Sequence, residues 1–342
     1  MRVPARRSSI VTLVGVLGLL AAACQTETLT SLAGDDGAAV APTPFPMSSD
    51  AVNMVKTASH RLVKPFMQLA LLGKPQSGIG SSSPITDSPW DLTYVGGPLV
   101  THATSYDVYV NCATTAVDCW GSQGLSPASF LRDLNRSVIL HVADQYLGVR
   151  APGQFSVAEL STTADFTGTL ADSSIRNVAT FDDVAGIIIS AFIATRASGY
   201  TSIYHVFLPK GTDMCIDPNT CYSPDNPDSF VFCAFHGSFD VQNRAGQIFH
   251  LLFSVQPYQN VDGCAIPGQT PHGTIDATAT ALSHEFFETI TDPDLDSWFN
   301  LLTGNEVADL CFGFRNNEHV GTHAYVIQSE YSNAAQLCTD QS

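Results

Sequence analysis

Asp276-Ala277-Thr278-Ala279-Thr280-Ala281-Leu282-Ser283-His284-Glu285-Phe286-Phe287-Glu288-Thr289-Ile290 contains neither proline nor glycine and reads as one helix of about four turns. At about 100° per residue, His284 and Glu288 fall about 40° apart with Glu285 on the same edge, while Leu282, Phe286, Phe287 and Ile290 fill the opposite arc. Such an apolar arc needs a second layer to lie on. The chain upstream supplies it as β-rich runs at 92–94, 107–110, 202–208, 229–235 and 249–255. Between them, Ser126-Pro127 opens a helix with Leu131, Leu134, Val138 and Val142 on one face. Thr180 with Asp183 forms a capping box for a helix through Ile187 and Ala191, which Gly199 can close. Strands alternating with helices predict a single mixed α/β sheet domain over 90–342.

The polar edge of the quoted helix carries the chemistry. His-Glu-x-x-Glu is the His-Glu-x-x-His zinc layout with glutamate in place of the second histidine. The pair at i and i+4 grips the ion, and Glu285 is placed to take a proton from metal-bound water. The plain alternative is an amphipathic helix with a wet charged edge. With ten histidines and seven glutamates in 342 residues, however, chance yields this pattern about once in 240 such chains. Zinc needs a third protein ligand, and the next glutamate is Glu306, in Asn305-Glu306-Val307-Ala308-Asp309. This arrangement resembles the thermolysin-type zincins, where a downstream glutamate completes the site and a nearby aspartate orients the first histidine. The resemblance implies Glu306 as ligand and Asp309 as support, with the two roles open to exchange. No metzincin continuation follows the motif.

A more specific likeness emerges around the motif. Ser283-His284-Glu285-Phe286-Phe287-Glu288-Thr289-Ile290-Thr291-Asp292-Pro293, then Trp298 and Glu306-Val307-Ala308-Asp309-Leu310-Cys311, resembles the secreted Exordium (phosphate-induced) family and its bacterial relatives. Tyr94-Val95-Gly96-Gly97-Pro98-Leu99 and Phe232-Cys233-Ala234-Phe235-His236 fit the same family, so the resemblance spans roughly residues 90–338. It implies an extracellular protein with a zincin-like α/β core. Phe286-Phe287 departs from the smaller residues usual in relatives, on the face away from the ligands.

Composition sets the compartment and excludes two function classes. The net charge of −17 has the wrong sign for nucleic acid or for anionic lipid as the main partner. Arg2, Arg6 and Arg7 precede a fourteen-residue apolar stretch, Ile10 to Ala23, too short to cross a bilayer as a helix. Residues 1–23 therefore read as an export signal. It ends Leu20-Ala21-Ala22-Ala23-Cys24, resembling a bacterial lipoprotein signal with Cys24 as the lipidated residue, although Ala21 stands where a larger aliphatic is usual. On this reading the membrane is contacted through a lipid anchor only; the plain alternative is an ordinary secretory signal cut after Ala23, with Cys24 incidental and the protein secreted. Residues 24–50 read as a flexible tether, and 51–89 as a helix divided at Pro65 followed by a linker. Eight cysteines remain, enough for four disulfides. Of the 105 possible pairings, Cys112/Cys119 and Cys215/Cys221, which close short loops, are the easiest to expect, and Cys233/Cys264 and Cys311/Cys338 would then be the remaining pairs. No CxxC pair seeds a thiolate zinc site.

Lesser candidates have plainer readings beside them. His236 can stabilise an oxyanion beside the metal or be a hydrogen-bonded core residue. The acidic loop 213–228 offers oxygens that suit calcium but lacks EF-hand spacing, and a solvated, disulfide-pinned loop explains it. His319 and His323 lie in a Gly/Asn-rich stretch and read as surface residues. Two functions follow: a zinc-dependent hydrolase, most simply a peptidase acting on a peptide or protein substrate, or a non-catalytic cell-surface binding module whose metal is structural or lost.

Overall fold

The computed structural model describes residues 41–55, 58–66, 88–112, 115–169, 175–226, 228–265 and 268–340. The export signal, Cys24 and the tether up to residue 40 lie outside the described residues, as does most of the expected linker. The principal elements are β1 (Thr43–Pro44), α1 (Ser49–Val55), β2 (Ser59–Phe66), β3 (Ala103–Val110), α2 (Pro127–Leu134), β4 (Phe155–Thr162), α3 (Phe181–Thr195), β5 (Ser202–Phe207), β6 (Ala234–Gln242), β7 (Ile248–Gln256) and α4 (Thr274–Thr291). The seven strands form one sheet in the order β1-β4-β3-β5-β7-β6-β2. Only β6 runs against the others, between β7 and β2.

Layering follows from the strands' own residues. Every position of β5, Ser-Ile-Tyr-His-Val-Phe, is buried, as a strand must be when helices cover both faces of its sheet. Alternate side chains serve alternate layers. Val108, Tyr204, Val206, Phe239 and Phe253 pack with α1 and α3, whereas Tyr109, Ile203, Phe207 and Leu252 pack with α2 and α4. α2 and α3 each start at a capping box, on Ser126 and Thr180. α4 is buried from Ile275 to Thr291, with Phe286 meeting Phe155 edge-on at 5.2 Å between ring centroids. Its charged edge is therefore not wet, and the plain amphipathic reading of that edge fails.

Several local expectations are corrected. The helix expected across Pro65 ends at Val55, and Ser59–Phe66 is a strand paired with β6. Proline costs far more in a helix interior than at a sheet edge, where its missing N–H need not break a ladder. The pairing of β1 with β4 and of β2 with β6 joins 43–66 to the sheet, so the α/β body begins before residue 90 and the tether ends before residue 50. Val138 is 64% exposed, because α2 stops at Leu134 and a 3-10 turn, Ile139–Ala143, follows. α3 closes at Arg196, which takes a left-handed φ of 62°, and not at Gly199. The strand expected at 229–235 starts only at Ala234. Thr93–Tyr94 pairs with Trp298–Phe299, outside the main sheet.

The cysteines pair as Cys112–Cys119, Cys215–Cys221, Cys233–Cys264 and Cys311–Cys338, a framework consistent with an extracellular protein. Among the described residues no helix is long and apolar enough to cross a membrane. Within the 213–228 stretch, Asp213–Asp217 and Thr220–Tyr222 form a hairpin clamped by Cys215–Cys221.

One feature of the register positions the site. Glu159, Asp107, His205, Ser254, His236 and Lys64 are successive partners across β4, β3, β5, β7, β6 and β2. A polar row thus crosses six strands on the face that α4 covers.

Candidate metal centre

The polar edge of α4 meets the β6–β2 end of that row. His284 Nε2 lies 3.1 Å from Glu288 Oε1 and 3.8 Å from Asp309 Oδ1. His236 Nδ1 lies 3.0 Å from Glu285 Oε2 and 3.4 Å from Glu288 Oε2. Two groups of donor atoms, His284/Glu288/Asp309 and His236/Glu285/Glu288, each fit within 4.8 Å and share Glu288. Glu306 reaches the same place from the loop after α4, its Oε1 3.5 Å from His236 Nε2 and its Oε2 3.3 Å from Lys64 Nζ. The Asp309 amide donates to Glu288 Oε1 at 3.2 Å, tying the short 3-10 turn Asp309–Cys311 to the helix. Cys311–Cys338 and Cys233–Cys264 brace that turn and the start of β6.

Burial dominates the electrostatics. His236, His284, Glu285, Glu288 and Glu306 are essentially inaccessible, and Glu330 joins them with both carboxylate oxygens accepting no hydrogen bond. Burial pushes the Glu285 carboxyl up to about 7, against the pull of His236 and His284. For Glu288, burial is outweighed by His284 and His236, which hold it well below the usual carboxylate range. His284 is raised to about 9: burial works against its charge, and Glu288, then Glu285 and Asp309, overcome it. His236 is raised by Glu306, Glu285 and Glu288 against burial. Burial and Glu306 push Asp292 up to about 7, and burial with Glu288 and Asp309 raises Glu330.

Five carboxylates, on Glu285, Glu288, Glu306, Asp309 and Glu330, thus face two histidines and one lysine. An ionised carboxylate buried without hydrogen bonds is costly by several kcal/mol, and proteins relieve this by protonation or by a cation. Glu285 Oε1 and both oxygens of Glu306 and Glu330 accept no hydrogen bond. A tetrahedral cation with bonds of about 2.0–2.2 Å spaces its donors about 3.3–3.6 Å apart, which the 3.1 and 3.8 Å separations about His284 bracket. Each of the two buried groups, His236/Glu285/Glu288 with separations of 3.0 and 3.4 Å about His236 and His284/Glu288/Asp309, is of a type and size that could hold a metal ion, without specifying which metal. Gln328 faces His284 Nδ1 with its Nε2 at 3.1 Å while donating to Ala308 O at 2.8 Å.

All six residues expected at the site from sequence, His236, His284, Glu285, Glu288, Glu306 and Asp309, converge here. His236 faces Glu285, Glu288 and Glu306 from within the core instead of lining an open cleft. Asp309, rather than Glu306, falls in the compact donor group with His284. His323 pairs with Asp133 at 2.7 Å, remote in sequence from the motif. Lys64, Asp292, Gln328 and Glu330 were not anticipated. The scarcity of glutamate was a usable signal for Glu330, since four of the chain's seven glutamates meet at this one place. The chain matches no protein-family model, no curated protein and no solved structure.

Proposed function

We propose that this is an exported, zinc-dependent hydrolase, most simply a peptidase, on a zincin-like core of the kind its Exordium-family resemblance implies. His284, Glu288 and Asp309 would hold the ion, with Glu306 the alternative third ligand. The carrying observation is the buried carboxylate excess around two histidines, with glutamate oxygens that no hydrogen bond satisfies. When bound, zinc supplies a Lewis acid that polarises the scissile carbonyl and acidifies water. Glu285 holds Oε2 on His236 and leaves Oε1 able to accept a proton. His236 fixes that carboxylate's orientation.

One observation favours a second reading. The donor atoms are almost wholly closed off, and only Lys64 and Asp309 are partly open to solvent, at 27% and 18%. A structural metal in a non-catalytic binding module fits such closure. The deciding experiment compares the wild type with Glu285→Gln on a broad peptide mixture while zinc content is followed. A hydrolase loses about 10²–10⁴-fold in rate with zinc retained. A wild type that holds zinc and cleaves nothing supports the binding module.

A further inference from the structure

The segment bearing both candidate third ligands is held by a side chain 240 residues away along the chain. Lys64 Nζ, on the outer strand β2, donates to Gly304 O at 2.8 Å. It also stands 3.3 Å from Glu306 Oε2 and 3.2 Å from Asp309 Oδ2. An ammonium has no lone pair, so Lys64 cannot be a metal ligand; it hydrogen-bonds Gly304 O and makes ion-pair contacts with the two carboxylates. The two carboxylates divide their oxygens in the same way. Each gives its outer oxygen to Lys64 and turns the inner one to a histidine: Glu306 Oε1 lies 3.5 Å from His236 Nε2, and Asp309 Oδ1 lies 3.8 Å from His284 Nε2.

We propose that Lys64 is a positioning residue for the metal centre, pinning residues 304–309 to β2 and aiming the inner oxygen of Asp309 at the cation while that of Glu306 is turned to His236. The inference rests on the metal-centre reading above. Residues 304–308 carry no regular secondary structure that would fix the Glu306 carboxylate. The two acids sit three residues apart, next to Glu288, and like charges at such range repel unless a cation separates them. Lys64 meets that need from outside the donor set, because it takes only the oxygens that face away from the histidines. Groups holding a ligand from behind in this manner typically change metal affinity 10–100-fold when removed.

The test uses the full chain as wild type, Lys64→Met and Lys64→Arg, with zinc affinity measured against a competing chelator. Amide hydrogen exchange of residues 304–309 is followed in the metal-free proteins, and melting temperature reports global folding. Lys64→Met is expected to weaken zinc binding by about 10–100-fold and to speed exchange in 304–309. Lys64→Arg, which keeps the charge and both carboxylate contacts, should restore most of each. Zinc binding in Lys64→Met as tight as in the wild type, or tighter, overturns the proposal, because the ammonium would then compete with the cation for the carboxylates. Unchanged exchange in 304–309 overturns it as well. A wild type that binds no zinc is a different failure, that of the metal-centre reading itself.

Discussion

His205 shows how closely single side chains in the polar row are specified. It is fully buried on β5, with Nδ1 2.7 Å from Ser254 Oγ and Nε2 3.1 Å from Ser105 Oγ. Burial lowers its pKa to about 3, so the folded protein keeps this imidazole neutral. Between about pH 6.5 and 3 the unfolded chain binds a proton that the folded chain refuses. The contribution of His205 to stability is therefore complete above pH 6.5 and is lost as the pH falls through that window. The unfolding free energy of wild type relative to His205→Gln should fall by roughly 1.4 kcal/mol per pH unit there, in denaturant titrations across pH. A pH-independent difference would mean that His205 is protonated in the folded state. At the same scale, Glu288→Gln should weaken zinc binding by replacing a carboxylate with a poorer ligand, whereas Glu285→Gln should not. Equal metal loss in both variants would show that Glu285 is a ligand and not a base.

Helix α4 is the element most legible in the sequence. Its 3.6-residue pattern survives in the structure because the same apolar arc that predicts the helix packs it, Phe286 against Phe155 and Leu282 within the core shared with β5 and β7. Truncating Phe286 to alanine should cost about 3–5 kcal/mol, read from denaturant midpoints. A loss below about 1 kcal/mol would mean that this interface is not the tight packing described. Strand β2 was illegible for the complementary reason. Ala51, Val55, Ala58 and Leu62 mimic helical spacing, and only the pairing with β6, which lies far along the chain, decides between helix and strand. Lys64 was lost with it. The motif gave His284, Glu285 and Glu288 because one helix turn holds all three. Which of Glu306 and Asp309 approaches His284 depends on a loop whose course no local pattern encodes, and Gln328 and Glu330 arrive on strands near the C-terminus.

At the scale of the whole molecule, the polar row from Glu159 to Lys64 exists only once six strands are in register, so no reading of separate segments could have assembled it. The two short-loop disulfides were easier, since their cysteines stand only seven and six positions apart, whereas the other four cysteines still allow three pairings. Alkylation without reduction followed by intact-mass measurement should label none of Cys112, Cys119, Cys215, Cys221, Cys233, Cys264, Cys311 and Cys338. Two or more labelled thiols would break the framework and reopen a thiolate site. Cys24→Ser should move the protein from membranes to the soluble fraction, and unchanged partition would remove the lipid anchor from the account. The account as a whole turns on a cation among His284, Glu288 and Asp309. Elemental analysis of the purified wild type and of His284→Ala tests it most directly. About one equivalent of zinc per chain is expected in the wild type and almost none in the folded variant. Metal-free protein in both samples, or full zinc retained by His284→Ala, would contradict it.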